Sequence, residues 1–211
     1  MSNFKLTHRT ATSISERIAY RITQLLKLAL NVFYGKKYAK RAVILETIAA
    51  VPGMVAGMFN HLKSLRRMKD DEGWIRQLLD EAENERMHLM IFLDIAKPSW
   101  VERLLVLLGQ GVFILVYSVI YLLSSRIAHR VVGYFEEEAC KSYSEYLDKI
   151  DAGEVENTPA PDIAISYYKL PANAKLRDVI LRIREDEAGH RDRNHGFADA
   201  YESKTLPAHQ N

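Results

Sequence analysis

Apolar residues recur at three- and four-residue spacing along almost the whole chain, and the alternating pattern of strands is nearly absent. The spacing predicts six long helices, over 13–33, 38–69, 72–96, 99–124, 126–151 and 172–202. Two helix starts carry the capping-box pattern, a serine followed three residues later by a glutamate, at Ser13/Glu16 and Ser99/Glu102. A stretch with three prolines, 152–171, is predicted to be non-helical. We therefore expect an all-α protein.

The fourth predicted helix is apolar enough to meet a membrane. Twenty residues from Leu104 to Leu123 carry no charge, a length that crosses a bilayer core at about 1.5 Å per residue. Three interpretations remain open: a transmembrane helix, a fully buried core helix, or a helix lying in the interface of one leaflet. We favour the interfacial helix, with the basic first helix beside it.

The charge of the chain is unevenly distributed. The net charge is +2, but residues 1–41 hold nine Lys and Arg against one acid, Glu16. A basic end favours anionic lipid or nucleic acid as a partner. Aromatic residues here lie among Leu and Ile rather than in a base-stacking pattern, so we expect membrane lipid and no nucleic acid. The single cysteine excludes an internal disulfide.

The length of 211 residues fits one domain, which we expect to cover 1–211. Within it we expect residues 1–12 to be flexible and 203–211 to form a tail. The first 20 residues lack the apolar segment of a secretory signal peptide.

One buried carboxylate is expected on the second helix. Glu46 is the only charged residue among the eighteen of the segment AVILETIAAVPGMVAGMF, 42–59. A carboxylate on an apolar helix is costly to bury unless it is paired or bound to a metal.

Two further helices each carry a Glu-x-x-His pattern, Glu85/His88 and Glu187/His190. Residues three apart on a helix lie on one face, so both side chains can reach one cation. One such pattern is weak evidence, whereas two on different long helices are much less often accidental. Each histidine is either a metal ligand or a hydrogen-bond partner of a ligand carboxylate.

The fifth predicted helix offers three consecutive carboxylates. Glu136 shares its face with apolar residues and is predicted to be buried. Glu137 shares its face with Arg130 and Lys141 and is predicted to be solvated. Glu138 lies between Tyr134, Ser142 and Glu145.

One Glu from each of two helices and Glu-x-x-His from each of two others is the di-metal arrangement of ferritin-like four-helix bundles. Four carboxylates cannot share a buried site in ionised form without cations. Carboxylate and imidazole ligands favour iron or manganese.

Four sequence blocks resemble the signature motifs of the alternative oxidase family: LETIAAVPGMVAG (45–57), AENERMHLM (82–90), VVGYFEEEACKSY (131–143) and REDEAGHRDRNH (184–195). The resemblance covers roughly residues 13–200. It implies a ferritin-like bundle with two iron ions, and two further long helices that form a membrane-interfacial patch. It also implies oxidation of ubiquinol, reduction of O₂ to water without proton pumping, attachment to one leaflet, and a homodimer. The family's iron ligands match Glu46, Glu85, His88, Glu136, Glu187 and His190.

The resemblance assigns roles to more positions. Asn84 and Asp186 match residues that orient the ligands, and Tyr143 and Tyr167 match candidate redox tyrosines. The family's quinol pocket matches Lys27, Asn31, Arg41, Leu45, Glu138 and Ser142, with Glu138 as the candidate proton acceptor. Several positions depart from the usual family residue: Lys27 for Arg, Asn31 for Asp, Ser142 for Thr, Tyr168 for Trp and Gly189 for His.

We therefore expect a cyanide-insensitive ubiquinol oxidase. The rival hypotheses are a di-iron hydroxylase of the quinone ring, a ferritin-like iron-binding protein, and a small membrane protein with accidental Glu-x-x-His patterns. The expected location is the cytoplasmic side of a bacterial inner membrane. The alternative is the matrix side of the mitochondrial inner membrane.

Overall fold

The computed structural model describes the backbone of residues 6–34 and 38–203, and the side chains of 6–28 and 38–201. Seven helices occur in these ranges: α1 (Ile14–Tyr34), α2 (Tyr38–Arg67), α3 (Trp74–Ala96), α4 (Trp100–Leu123), α5 (Ser125–Asp151), α6 (Asp162–Tyr168) and α7 (Leu176–Ser203). The β-type pairing among the described residues is one isolated bridge between Pro159 and Lys175. The all-α prediction is confirmed.

The six predicted helices are present. The prediction that residues 152–171 are non-helical is partly wrong. Residues 162–168 within it form α6, a helix of two turns. Pro161 precedes this helix at its N-cap and Asp162 lies in the first turn. A proline at the start of a helix removes no helical hydrogen bond, so the prolines here frame a short helix rather than prevent one.

Both capping boxes form. The Ser13 hydroxyl accepts a hydrogen bond from the Glu16 amide at 3.2 Å, and the Glu16 carboxylate accepts one from the Ser13 amide at 3.1 Å. The same reciprocal pair joins Ser99 and Glu102 at the start of α4. Lys40 on α2 also pairs with Glu102 at 2.7 Å and so connects the start of α4 to the bundle.

Four helices form the bundle, with α5 packed against α7 and α2 packed against α3. The pairs approach closely at glycines. A Cβ on Gly53 of α2 would lie 2.4 Å from the Leu78 carbonyl of α3, and one on Gly133 of α5 would lie 2.5 Å from the His195 ring of α7. Because only glycine fits at these crossings, the sequence fixes where the bundle helices touch. The expected four-helix bundle is therefore present.

The helices α1 and α4 lie outside the bundle, α1 against α5 and α4 against α2 and α5. Only Tyr117 and Tyr121 are buried on α4, whereas Leu108 and Leu115 are 59% and 69% exposed. The interpretation of α4 as a fully buried core helix is therefore wrong. Both α2 and α4 are long and apolar enough to cross a membrane, but α2 is mostly buried in the bundle.

Candidate metal centre

Each bundle helix places one carboxylate inside the bundle: Glu46 from α2, Glu85 from α3, Glu136 from α5 and Glu187 from α7. All four are no more than 2% exposed. The two histidines of the Glu-x-x-His patterns are buried beside them, His88 on α3 and His190 on α7. The six residues predicted from spacing are therefore brought together.

Four of the six form a tight set. Glu46, Glu85, His88 and Glu187 each offer one ligand atom, and these atoms all lie within 4.8 Å of one another. The Nδ1 atom of His88 is 3.3 Å from Glu46 Oε2 and 3.2 Å from Glu187 Oε1. The geometry suits a cation held between α2, α3 and α7.

Glu136 and His190 adjoin this set without belonging to it. Burial raises the pKa of Glu136 well above its ordinary value, and the neighbouring carboxylates Glu187 and Glu85 raise it further. The Nδ1 atom of His190 contacts Glu85 Oε1 and lies 3.9 Å from Glu187 Oε2. Both residues therefore lie beside Glu85 and Glu187 and could help to hold a second cation.

The buried carboxylates of the cluster favour cations between them. Burial raises the pKa of Glu46 well above its ordinary value, and Glu187 and Glu85 add to the effect. Burial opposes the charged form of His88, but its carboxylate neighbours outweigh burial and raise the pKa of His88. Carboxylates that raise each other's pKa values are stabilised by positive charge between them.

Several potential ligand atoms are buried without a hydrogen bond of normal geometry to a described residue: Oε2 of Glu46, both carboxylate oxygens of Glu85, Oε2 of Glu136, Oε1 of Glu187, and Nδ1 of His88 and His190. Unsatisfied buried polar atoms are rare in folded proteins. So many around one point, on carboxylates and imidazoles, fit a pair of iron or manganese ions.

Asp186 organises the surroundings of His88. Its Oδ2 atom accepts hydrogen bonds from His88 Nε2 at 3.1 Å, Tyr168 at 2.7 Å and Asn84 at 3.0 Å. A carboxylate on the second ring nitrogen fixes the orientation of the imidazole and leaves Nδ1 facing the cluster. Asp186 thus contacts His88 directly, and Asn84 contacts Asp186. Tyr167 is 38% exposed and accepts a hydrogen bond from Asn84 at 2.8 Å.

Tyr143 is buried on α5, and its hydroxyl donates a hydrogen bond to Glu46 Oε1. Its ring stacks on Phe92 with the ring centres 5.9 Å apart. Burial, and then the charge of Glu46, raise the pKa of Tyr143 well above its ordinary value. The residue is therefore a protonated phenol in direct contact with the cluster.

Four residues of the predicted quinol pocket line one small cavity between α1, α2 and α5: Lys27, Arg41, Leu45 and Glu138. Its volume is about 10 Å³. Glu138 pairs with Lys27 at 2.6 Å and accepts a hydrogen bond from Lys141 at 2.9 Å. Ser142 is buried on α5 but does not line this cavity. The side chain of Asn31 lies outside the described residues.

A larger apolar groove of about 390 Å³ opens between α1, α2 and α4. We call the small cavity lined by Lys27, Arg41, Leu45 and Glu138 the polar cavity. Another small cavity lies between it and the groove. This cavity shares Phe135 with the polar cavity, and it shares four side chains with the groove: Leu26, Ile48, Phe113 and Val131. The three spaces therefore form a series from the exposed side of α4 towards Glu138.

The prediction that Glu137 is solvated is wrong. Glu137 is 2% exposed and accepts hydrogen bonds from the Arg9 amide at 2.9 Å and from His195 Nε2 at 3.0 Å. His8 contacts its other oxygen. His8 and His195 are therefore both partners of this buried carboxylate.

His129 does not line the cavity that contains Glu138. It is buried among Trp74, Tyr121 and Phe197, and its Nδ1 donates to Asn194 Oδ1 at 3.0 Å. None of these residues lines the cavity with Glu138.

Sequence reasoning missed one buried carboxylate, Glu81. It is 3% exposed and accepts hydrogen bonds from Asn194 at 2.6 Å and Arg193 at 3.3 Å. Asn194 also donates to the carbonyl of His190 at 3.0 Å, which links Glu81 to a predicted ligand. The signal was available, because Glu81 lies one turn before Glu85 on the same helical face.

Comparison with known proteins gives one family. The model of the family described as alternative oxidase matches residues 1–199. "Ubiquinol oxidase 2, mitochondrial" of Glycine max is 53% identical over 194 residues, covering 92% of this chain and 58% of that protein. The proteins of the same name from Nicotiana tabacum and Arabidopsis thaliana are each 54% identical, covering 92% and 91% of this chain and 65% and 54% of their own lengths. The chain thus spans less than two thirds of these relatives.

Proposed function

The chain belongs to the alternative oxidase family, and from this premise we propose that it is a membrane-bound oxidase that oxidises ubiquinol and reduces O₂ to water without pumping protons. The observation that carries the proposal is the buried set of carboxylates and histidines with the Tyr143 phenol bound to Glu46. The names of these relatives, all ubiquinol oxidases, support ubiquinol as the substrate.

The cofactor of the family is a pair of iron ions, and the donor set of this chain fits it. We propose that six residues hold the ions: Glu46, Glu85, His88, Glu136, Glu187 and His190. Their unsatisfied oxygen and nitrogen atoms support this assignment. Bound iron supplies the redox chemistry by which electrons pass from quinol to O₂. Asp186 orients His88 by accepting a hydrogen bond from its ring. Asn84 in turn donates a hydrogen bond to the Asp186 carboxylate and holds it in place.

Tyr143 is the proposed redox residue of the chain. One ubiquinol gives two electrons and two protons, whereas O₂ takes four of each to become two waters. Two quinols must therefore be oxidised in each cycle. Tyr143 can supply one electron and one proton before the second quinol is oxidised and regain both from that quinol, because its hydroxyl proton points at Glu46 Oε1. Tyr167, which is partly exposed and bonded to Asn84, is a weaker candidate for this role.

The quinol head group is proposed to bind at the polar cavity. Lys27 and Arg41 offer donors there, Leu45 offers an apolar wall, and Glu138 offers a carboxylate that accepts a quinol proton. The apolar groove beside α4 has the volume and lining expected for the isoprenoid tail. Because the polar cavity is about 10 Å³, the side chains around Glu138 must move apart when a head group enters.

A lipid surface is the proposed partner of α1 and α4. The exposed residues of α4 are almost all apolar, and Ile18, Leu25 and Leu28 extend the apolar surface along α1. A patch of this size favours membrane contact in a protein whose bundle is already filled. Arg17 and Arg21 lie exposed on the same helix, α1, and suit contact with anionic head groups.

A homodimer is proposed through the outer face of α2. Met54, Met58, Leu62 and Leu65 recur there at helical spacing and are 41–60% exposed. The location proposed is an inner membrane. The names of the relatives support the mitochondrial inner membrane over the bacterial location expected from the sequence. Within the mitochondrion, the matrix side is the proposed side of attachment.

The test is O₂ uptake with ubiquinol in the presence of cyanide, with iron counted on the same detergent-purified sample. We expect cyanide-insensitive uptake, two irons per chain, and one O₂ consumed per two quinols. Hydroxylated quinone as the product would replace the proposal with a ring hydroxylase. Iron without quinol-dependent uptake would leave an iron-binding protein, and absence of stoichiometric iron would exclude both enzymes.

A further inference from the structure

The segment before α1 is tied to the bundle by a buried network of charges. Its centre is Glu137, the residue directly after the proposed iron ligand Glu136. We define the N-terminal clamp as residues 8–16, which reach α5 at Glu137 and Arg130, and α7 at Asp199.

Arg9 makes the contacts that span two helices. Its guanidinium donates to both oxygens of Asp199 on α7 at 2.8 Å each, and its amide donates to Glu137 Oε1 on α5 at 2.9 Å. Its Nε atom donates to Glu16 at 3.1 Å. A bidentate guanidinium–carboxylate pair fixes direction as well as distance, so Arg9 sets how α5 and α7 lie at this end.

Arg130 and His195 complete the network between the helices. Arg130 is 1% exposed and donates to His195 Nδ1 at 2.9 Å. Since a guanidinium only donates, Nδ1 of His195 is the acceptor and Nε2 carries the proton donated to Glu137. Gly133 provides the space for the His195 ring.

The charges of the network require the clamp. Glu137 on α5 and Asp199 on α7 are carboxylates, and Arg130 on α5 donates to Asp199. Arg9 from the clamp supplies the second cation, and His8 contacts the remaining oxygen of Glu137. Without the clamp, buried Glu137 keeps His195 but loses the Arg9 amide and His8 as partners, which is costly in an apolar interior.

From these contacts we infer that the N-terminal clamp positions Glu136 for iron, with Arg9 and Glu137 as the positioning residues. The clamp holds α5 against α7, and this pair of helices carries Glu136, Glu187 and His190. The inference rests on the proposed iron site but not on the proposed quinol oxidation. Its test therefore uses the metal and not turnover.

The experiment measures release of iron(II) from the full chain in detergent to a ferrous chelator, together with the thermal midpoint of the metal-free protein. Glu137→Gln and Arg9→Gln should each release iron at least roughly tenfold faster than the unaltered chain. Val179→Ala is the matched control, because Val179 is fully buried on α7 among residues far from the clamp. It lowers the thermal midpoint through packing alone.

A positioning role predicts faster release in the clamp variants than in a control of equal or lower thermal midpoint. Arg9→Lys keeps the charge but not the bidentate pair. Its rate of iron release should therefore lie between those of the unaltered chain and Arg9→Gln. If Arg9→Gln and Val179→Ala release iron at the same rate at equal thermal midpoints, the clamp is a structural feature and the inference is wrong. If Glu137→Gln does not fold, Arg9→Gln decides alone, since Arg9 is partly exposed. If the unaltered chain binds no iron, the proposed metal site fails, an outcome distinct from equal release rates.

Discussion

The hydroxyl of Tyr143 on α5 donates a hydrogen bond to Oε1 of Glu46 on α2. Two bundle helices that are far apart in sequence are thus joined at the metal centre by a phenol and a carboxylate, both buried. Tyr143 is the only tyrosine among the described residues whose hydroxyl is hydrogen-bonded to one of the six proposed ligands. This contact separates it from Tyr167 and Tyr168, which reach the centre through Asn84 and Asp186.

Tyr143→Phe should separate redox chemistry from packing. The substitution keeps the ring that stacks on Phe92 and removes the hydroxyl. We expect iron and helical content to be retained, and quinol oxidation to fall at least tenfold, about 1.4 kcal/mol of barrier. Steady-state O₂ uptake and iron counting check this. Turnover near that of the unaltered chain would leave Tyr143 as a packing residue.

Glu46→Ala should abolish oxidase activity and remove most of the iron, because one ligand is lost and the remaining carboxylates stay in apolar surroundings. Metal analysis and O₂ uptake check this. Glu137→Ala is unsuitable as the control variant, because Glu137 is buried and contacts the N-terminal clamp. Glu145→Ala, an exposed carboxylate on α5, is the suitable one. Equal iron in the Glu46 and Glu145 variants would refute the ligand assignment.

Helical spacing was enough to predict the bundle and the burial of its proposed ligands. Glu46 stood alone in an apolar helix, and two Glu-x-x-His patterns lay on separate helices, so their burial followed from local periodicity. The same reasoning failed at Glu137. Its helical face looked polar, and that face is buried because residues 8–16 and His195 cover it. Which polar face of a helix becomes covered depends on contacts distant in sequence, and periodicity does not contain them.

The environment of α4 is a second feature that periodicity alone did not determine. The composition of α4 was compatible with a transmembrane, a buried or an interfacial helix, of which the interfacial one was favoured. Only the packing of α2, α3, α5 and α7 shows that the bundle is complete without α4, which excludes the buried interpretation. The short helix α6 escaped prediction because seven residues carry too little periodicity to stand out among prolines.

Acid should remove the contribution that Glu16 makes to the stability of the folded state. Burial opposes the charged form of Glu16, but hydrogen bonds from Ser13 and Thr12 outweigh it and lower its pKa to about 2, from an ordinary value of 4.5. A lowered pKa stabilises the folded state fully above pH 4.5, and this contribution is lost as the pH falls towards 2. Glu16→Gln should therefore reduce stability at pH 7 by on the order of 2 kcal/mol and much less near pH 3. Denaturation midpoints of both proteins at the two pH values check this. A constant difference would show that Glu16 acts through packing.

Lys27→Ala should impair quinol binding without loss of iron. Lys27 lines the polar cavity and pairs with Glu138, so its removal takes away a donor for the head group. We expect KM for ubiquinol to rise at least threefold, with kcat and iron content little changed. Lys40→Ala is the control, because Lys40 pairs with Glu102 and does not line the cavity. An equal rise in KM for both variants would indicate a general effect of positive charge.

Leu115→Glu and Leu108→Glu on α4 should release the protein from the membrane without loss of iron. Both side chains are exposed, so the carboxylate costs nothing in the fold but must enter the lipid if α4 lies in a leaflet. Flotation with anionic vesicles checks this, and salt should weaken binding of the unaltered chain only partly, since it screens Lys and Arg but not apolar burial.

Leu65→Glu on α2 is the matched control for these variants. It should stay with the membrane while the mass in detergent falls from dimer to monomer. Labelling distinguishes the two membrane arrangements. A helix in one leaflet exposes the Trp100 end and the Arg126 end of the α4 region from the same side. Labels that reach these two ends only from opposite sides would establish a transmembrane α4 and overturn the interfacial one.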